Sequence, residues 1–531
     1  MSKDEVELNV GNLLRDESSS NYRRRDNYDD DAVLRRLGKR PVLTRSFGFM
    51  SILGFSCSAL CSWESILLTG VPGLIIGGPS GLIWGLIVNW IGVISMYATL
   101  AELASTAPTA GGQYHWVSML GPKSCSTFLS YMTAWLTTLA WQAISVMCSY
   151  LVATLLQGII VLARPTYVPL VWHTVLLIWA FALLTTFINS TTSRILAKLE
   201  AFILILHLTG FFGVLVPMVY FAPHNEPSFV FTTFLNNGNW PTQTMAFFVG
   251  FPTLATAIVG ADCAVHMSEE IQSAPLVVPR ALMYTVLING ALALAIAIAM
   301  VFCISDLDAA MAAVDTMFYP FLQVADAAVK STTGACLMAG VIFALTVAGS
   351  IGIYASTARM LWSFSRDKGV PFSNQLVKLA KNTLPTNAIF TTFAVTVLLS
   401  LIALGSAVAL QALCSLSVAA LFASYMIPCG LLLWRRTTGK MRPYSGETEG
   451  PSQEVSWGPW RIPEPLGTIN NIFACIYNVV TLFWSFWPQT NNPTVETTNW
   501  SVLPFCVVIL FSIIWYPLRA KNYYKGPIRE V

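Results

Sequence analysis

Residues 258–281 read IVGADCAVHMSEEIQSAPLVVPRA and set Gly260, Asp262, His266, Glu269 and Glu270 at the end of a long apolar run. Asp262, His266 and Glu269 are spaced i, i+4 and i+7, so on a continuous helix they would share one face. Three chemistries compete for that face. One is a metal site, for which a histidine and carboxylates are only a partial set. The second is a gate or relay built from buried ionisable groups. The third is structural, with Glu269 and Glu270 paired to Arg280 or capping amides of the following loop. A second stretch, GFSCSALCSWES at 54–65, gathers hydroxyls and thiols ahead of Trp63 and Glu64.

The elements that must position these groups follow from composition. The chain has 531 residues, 55% hydrophobic and 11% charged, where a soluble protein is roughly 25% charged. A bilayer core takes about 20 apolar residues per helix, and charge-free windows of that kind recur along the chain. They predict an all-α polytopic membrane protein of twelve spans, at 47–70, 82–104, 125–162, 169–188, 195–221, 244–265, 281–304, 334–363, 389–404, 407–434, 469–486 and 502–518. The third window is long enough to tilt or to continue beyond the bilayer. The residues LGSA at 404–407 predict a tight turn between the ninth and tenth spans.

Charge placement orients them. With the N-terminus in the cytoplasm and alternating spans, only Arg164 and Lys330 of the 30 Lys and Arg fall outside, a strong positive-inside signal. The outer face takes Asp306, Asp308, Asp315 and Asp326 instead. An even number of spans with both termini cytoplasmic fits best. Residues 1–45 lack the apolar core of a signal peptide and predict a disordered cytoplasmic tail; residues 46–520 are expected to form one twelve-helix membrane domain and 521–531 a short cytoplasmic C-terminal tail. The eleven cysteines lie almost all within spans and include no CxxC pair, which argues against a disulfide or zinc framework.

Two spans carry residues that interrupt helices. The first has the 54–65 stretch; the sixth, GFPTLATAIVGAD at 250–262, has Pro252 and Gly260. Both open on Gly-Phe and reach a carboxylate, Glu64 or Asp262. They lie five spans apart, as discontinuous first helices of two inverted repeats would. Ordinary helices with back-bonded serines would account for the same residues.

The run AELASTAPTAGGQYHW at 101–116 resembles the signature closing the second span in the amino acid–polyamine–organocation superfamily. HMSEEIQSAPLVVPRA at 266–281 resembles the form found in fungal amino acid and choline permeases. The resemblance covers roughly residues 40–520. It implies a five-plus-five inverted repeat with two added spans, and a substrate site between discontinuous first and sixth helices. Cys61, Ser62 and Trp63 would stand at the first break and Ile258, Val259, Gly260 and Ala261 at the sixth. It also places Asp262 near the pocket and the glutamates on the exit side.

In relatives, amides of the first break hold a substrate carboxylate and carbonyls of the sixth hold its amine, as helix-end electrostatics favour. This chain departs from the glycine-rich pattern at the first break. Trp63 and Glu64 would crowd or repel a carboxylate and suit an amine through cation–π attraction and counter-charge; alternatively Glu64 is a protonated acid packed on a neighbouring helix. His207, in ILILHLTGFF of the fifth span, stands near where some sodium-independent relatives carry a lysine. It reads either as a proton-coupling site or as a neutral histidine bonded to a carbonyl. Trp141 faces the pocket from the third span or serves as packing.

The expectation is a plasma-membrane secondary transporter, proton-coupled, carrying a small amine: an amino acid, gamma-aminobutyrate, choline, a polyamine or an alkaloid. A transceptor that binds such an amine and signals, and a carrier of a specialised metabolite from a biosynthetic cluster, stay open. No nucleophile–base pair or full metal set points to an enzyme. The expected partners are the amine and membrane lipids, with no cofactor and no nucleic acid; the sequence leaves the oligomeric state open.

Overall fold

A computed structural model describes residues 30–191, 193–380, 383–402, 407–444, 455–495 and 497–530. In chain order the helices are α1 (Asp30–Arg36), α2 (Phe49–Leu60), α3 (Ser62–Thr69), α4 (Val71–Thr106), α5 (Gln113–Leu120), α6 (Ser126–Ala163), α7 (Val171–Thr191), α8 (Ser193–Phe221), α9 (Gln243–Ala255), α10 (Cys263–His266), α11 (Ala274–Phe302), α12 (Leu307–Met317), α13 (Pro320–Val329), α14 (Thr332–Arg366), α15 (Thr386–Ser400), α16 (Ala407–Thr437), α17 (Leu466–Trp484) and α18 (Val502–Trp515). In hydrocarbon each backbone amide must be satisfied within the protein, which is why apolar runs of this length become helices.

Among the described residues, ten helices are long and apolar enough to cross a membrane, counting α2 with α3 as one. The chain is therefore an integral, multi-pass membrane protein. Two expected windows are not among the ten. In 244–265 the helix stops at Ala255, and α15 at 389–404 has only 15 residues. The predicted turn at 404–407 lies outside the described residues except for Ala407, which opens α16.

Burial sorts the helices into layers. The α2–α3 span is 89% buried, whereas α7 and α8 are 33% and the α18 span only 11%. Leu183, Phe187, Phe212 and Leu510 are accordingly exposed on the outer helices, where lipid is the solvent. The inner layer packs α4 on α9 and α11, α6 on α14 and α16, and α2 on α8. The α4 helix is bent at Gly78, whose φ of 76° is open to glycine. Leu235 N donates to Gly77 O at 3.2 Å and Ser80 N to Thr233 O at 3.1 Å, satisfying groups the bend frees.

Both described ends of the chain lie on one face. Residues 30–45, expected within a solvated tail, are packed: Leu34 and Lys39 are buried, and the Asp30 carboxylate accepts from Ser273 N and Ala274 N at 2.7 and 3.0 Å at the start of α11. Tyr524, in the expected C-terminal tail, is fully buried with its hydroxyl 2.6 Å from Ser130 Oγ. Local polarity made these segments look solvated; their partners are distant backbone amides and hydroxyls that no local pattern reveals. Residues 1–29 lie outside the described residues.

Candidate functional site

Cys61 separates α2 from α3 in the left-handed region, φ 43° and ψ 47°, which costs a non-glycine residue about 1–2 kcal/mol. Several contacts hold it there. Cys61 N donates to Cys57 O at 3.0 Å, its thiol to Ser58 O at 2.6 Å, and Ser62 N to Asn289 Oδ1 on α11 at 3.3 Å. Gly349 of α14 lies against the break so closely that a Cβ there would collide with Ser58 O and the Cys61 thiol.

Beyond the break, Trp63 and Glu64 turn toward α8. The Trp63 indole N–H donates to His207 O at 3.2 Å and its ring meets Phe211 edge-on with centroids 5.9 Å apart. Glu64 Oε1 lies 2.8 Å from His207 Nδ1, both residues being fully buried. Glu64 Oε2 and His207 Nε2 have no partner among the described residues.

The second break follows α9. Its centre is Gly260 at φ 121°, again a conformation that L side chains rarely adopt. Tyr97 of α4 accepts from Gly260 N at 2.6 Å and Ala261 N at 3.0 Å through one hydroxyl oxygen. Asp262 Oδ1 accepts from Tyr425 of α16 at 2.5 Å and Tyr97 at 3.4 Å, and Oδ2 from Gln113 Nε2 at 2.7 Å. Asp262 is thus the hub of a buried network clamping the break. The carbonyls of residues 256–259 accept no hydrogen bond among the described residues.

Between the breaks lies a cavity of about 40 Å³, reached by Cys61, Ser65 and Thr69 from the first and Thr256, Val259 and Gly260 from the second, with Thr346, Ser350 and Ser417 opposite. No Asp, Glu, Lys or Arg lines it. A site for a small solute runs to several hundred Å³, so in this conformation the breaks have closed to a space for a few waters. A larger groove of about 880 Å³ runs between α6, α15, α16 and α18, lined almost wholly by apolar side chains including Trp500, Leu503 and Phe372.

Of the residues expected in a pocket, Cys61, Val259 and Gly260 line the cavity. Ser62, Ile258 and Ala261 are buried in the breaks. Trp63, Glu64 and His207 form their own cluster on the α8 side, and Asp262 belongs to the Tyr97 network. Trp141 packs edge-on against His266, centroids 5.3 Å apart. Tyr97, Tyr425, Gln113 and Asn289 were not singled out; Gln113 sits inside the quoted 101–116 run, while the others carry no local signal.

The carboxylates after the break are engaged at the face that carries the chain ends. Helix α10 stops at His266, so the i, i+4, i+7 face does not form as one helix. Arg280 is exposed, and the partners of the two glutamates come from α14 instead. Arg366 makes a bidentate bond to Glu269 at 2.9 and 2.6 Å, and Arg359 Nε donates to Glu270 at 2.8 Å. Ala110 N also donates to Glu269, at 3.2 Å. Burial pushes the Glu269 carboxyl up, but Arg366 and the Ala110 amide outweigh it and hold the group below the usual range. Lys39 reaches Asp367 at 2.5 Å. Burial, with Lys39 and Arg366 nearby, drives His115 down to about 3, so it stays neutral.

A multi-pass bundle with a small cavity, lined by apolar side chains and hydroxyls, between two interrupted helices defines the class, a membrane protein whose helix breaks frame an enclosed site. The chain belongs to the amino acid permease family, whose pattern matches residues 47–512. It is similar to a choline transporter of Saccharomyces cerevisiae, 29% identical over 487 residues, covering 90% of this chain and 82% of the relative. An uncharacterized amino-acid permease of Schizosaccharomyces pombe is 25% identical over 518 residues, covering 96% and 90%. Amino-acid permease 2 of Neurospora crassa is 24% identical over 507 residues, covering 94% and 89%.

Proposed function

We propose that this chain is a secondary active transporter that carries a small amine-bearing solute by alternating access. The observation that carries the reading is the cavity itself. Its lining includes the hydroxyl-bearing Ser65, Thr69, Thr256, Thr346, Ser350 and Ser417, and Thr256 and Val259 are residues whose carbonyls accept no hydrogen bond among the described residues; free carbonyls at a helix break favour an ammonium over an anion. The substrate classes that fit are amino acids, gamma-aminobutyrate, choline, polyamines and related alkaloids; choline and amino acids are the ones the relatives' names carry.

In this reading α9–α10 and α15 complete twelve spans in a five-plus-five inverted repeat. The basic face with both chain ends is cytoplasmic, and the membrane is the plasma membrane. The closed ion pairs at that face make this an inward-closed state. The Glu64–His207 pair, a carboxylate and an imidazole sharing one buried hydrogen bond between α3 and α8, carries the coupling proton.

The test is uptake of labelled choline, gamma-aminobutyrate, neutral and basic amino acids and polyamines into transporter-deficient yeast at two external pH values. Saturable uptake of one amine, faster at the more acidic pH and made pH-insensitive or lost in Glu64→Gln, is the expected result. No uptake of any member by protein present at the cell surface would overturn transport of these classes.

A further inference from the structure

We infer that Glu200 of α8 is a second proton-carrying group of the transport cycle, protonated while α2 lies against α8 and ionised when the two part. This rests on the proton-coupled reading above and adds a residue to it. Glu200 is fully buried. Its Oε2 lies 2.6 Å from Ser58 Oγ, and the same Ser58 oxygen lies 3.1 Å from Phe55 O. A serine hydroxyl has one proton to donate. Two separate hydrogen bonds form when Glu200 supplies the other proton, donating to Ser58 while Ser58 donates to Phe55 O; an ionised Glu200 would leave the single Ser58 proton shared between two acceptors. Glu200 Oε1 has no partner among the described residues. A neutral acid tolerates that; an ionised one with no cation beside it among the described side chains does not.

Among the described side chains around Glu200, none supplies a compensating charge. On α2 and the break the ionisable groups are Cys57, which packs with Leu204 of α8 while its thiol reaches Thr285 of α11, and Cys61, whose thiol bonds Ser58 O and lies against α14; Glu64 follows on α3 and meets His207. On α11, Arg280 and Tyr284 are exposed. On α14, Arg359 and Arg366 are bound to Glu270 and Glu269. His207 lies seven residues along α8 from Glu200, on the same face and about 10 Å away along the axis.

Two acid contacts therefore bridge the same seam on either side of the Cys61 break: Ser58–Glu200 before it and Glu64–His207 after it. At the first, the backbones are so close that a Cβ on Gly54 would collide with Glu200 O. Water reaches Glu200 only if α2 moves. When α2 swings out to open the terminal face, the Glu200 O–H bond breaks and its proton passes to water on that side. The carboxylate regains a proton from the Glu64–His207 pair before α2 closes, that pair having taken it from the opposite side.

The experiment compares wild type, Glu200→Gln and Ser58→Ala in proteoliposomes with an imposed pH gradient, using whichever labelled amine the panel identifies. In Glu200→Gln the amide keeps the contact to Ser58 but cannot ionise, so solute exchange persists while accumulation driven by the gradient is lost. Ser58→Ala removes the hydroxyl that accepts the Glu200 hydrogen bond and displaces the pH midpoint of uptake, whereas Ser56→Ala, on the same helix but away from Glu200, leaves it in place. Gradient-driven accumulation retained in Glu200→Gln, or an unmoved midpoint in Ser58→Ala, would overturn the proposal while leaving Glu64–His207 coupling intact. Wild type that ignores the gradient altogether would overturn the coupling reading itself.

Discussion

Tyr97 shows how much a single hydroxyl can decide. Its oxygen takes two backbone N–H groups of the second break and its proton has Asp262 and Tyr425 within reach, so all three of its hydrogen-bonding sites are used. Tyr97→Phe leaves Gly260 N and Ala261 N buried without acceptors, each at about 1–3 kcal/mol. The expected outcome is a lowered Tm in detergent and near-complete loss of uptake at normal expression, read by thermal unfolding and by tracer transport in parallel. An unchanged Tm would show that the break is held by other contacts. Trp63 and Glu64 illustrate the converse. Their types suit an amine, and the sequence places them beside the break, but the left-handed turn at Cys61 rotates both toward His207. Side-chain direction after a break depends on one pair of backbone angles, which residue types alone leave undetermined.

At the scale of elements, α10 and the short turn after it are tied to α14 by Glu269–Arg366 and Glu270–Arg359. Glu269→Gln removes one charge of a buried pair and leaves Arg366 short of compensation, a loss of about 3–5 kcal/mol where no other carboxylate takes over. Glu530 lies 3.6 Å from the same guanidinium, so the lower figure is expected. The pH dependence has a definite sign. A carboxyl held below its unfolded value, about 4.3, contributes stability above that pH and loses it as pH falls through the folded value. The Tm gap between wild type and Glu269→Gln should therefore be constant through the neutral range and close in acid; a gap that widens in acid would contradict the assignment. Helical segments of this kind were legible from apolar run length, and the second break from Pro252 and Gly260. The partners of the glutamates were not, because Arg366 lies ninety-odd residues away along the chain and only packing brings it near.

For the whole molecule, the closing of the terminal face depends on both chain ends. Ile528 N donates to Asp367 Oδ1 at 2.9 Å, the carboxylate that holds Lys39, and Glu530 N donates to Gly38 O at 2.6 Å. Arg40 returns two bonds to Glu530, at 2.8 and 3.0 Å. Deleting residues 526–531 should bias the molecule toward the opened form. A cysteine-directed, membrane-impermeant reagent applied from the terminal face should then label Cys57, buried in the intact protein, faster than in wild type. Equal labelling rates would mean that the segment merely rests on the surface.

Composition and apolar run length, by themselves, determined that this is a helical membrane protein, roughly where most of its long helices lie, and that the spans around Cys61 and Gly260 hold residues able to interrupt a helix. Those are local properties, set by transfer free energy and backbone chemistry. Tertiary structure alone decided which polar groups meet: Tyr97 with the Gly260 amides, Glu64 with His207, Glu200 with Ser58, and the chain ends with Asp367. In a low-dielectric interior a polar group is tolerated only when another satisfies it, and that partner is supplied by packing between segments far apart in the chain.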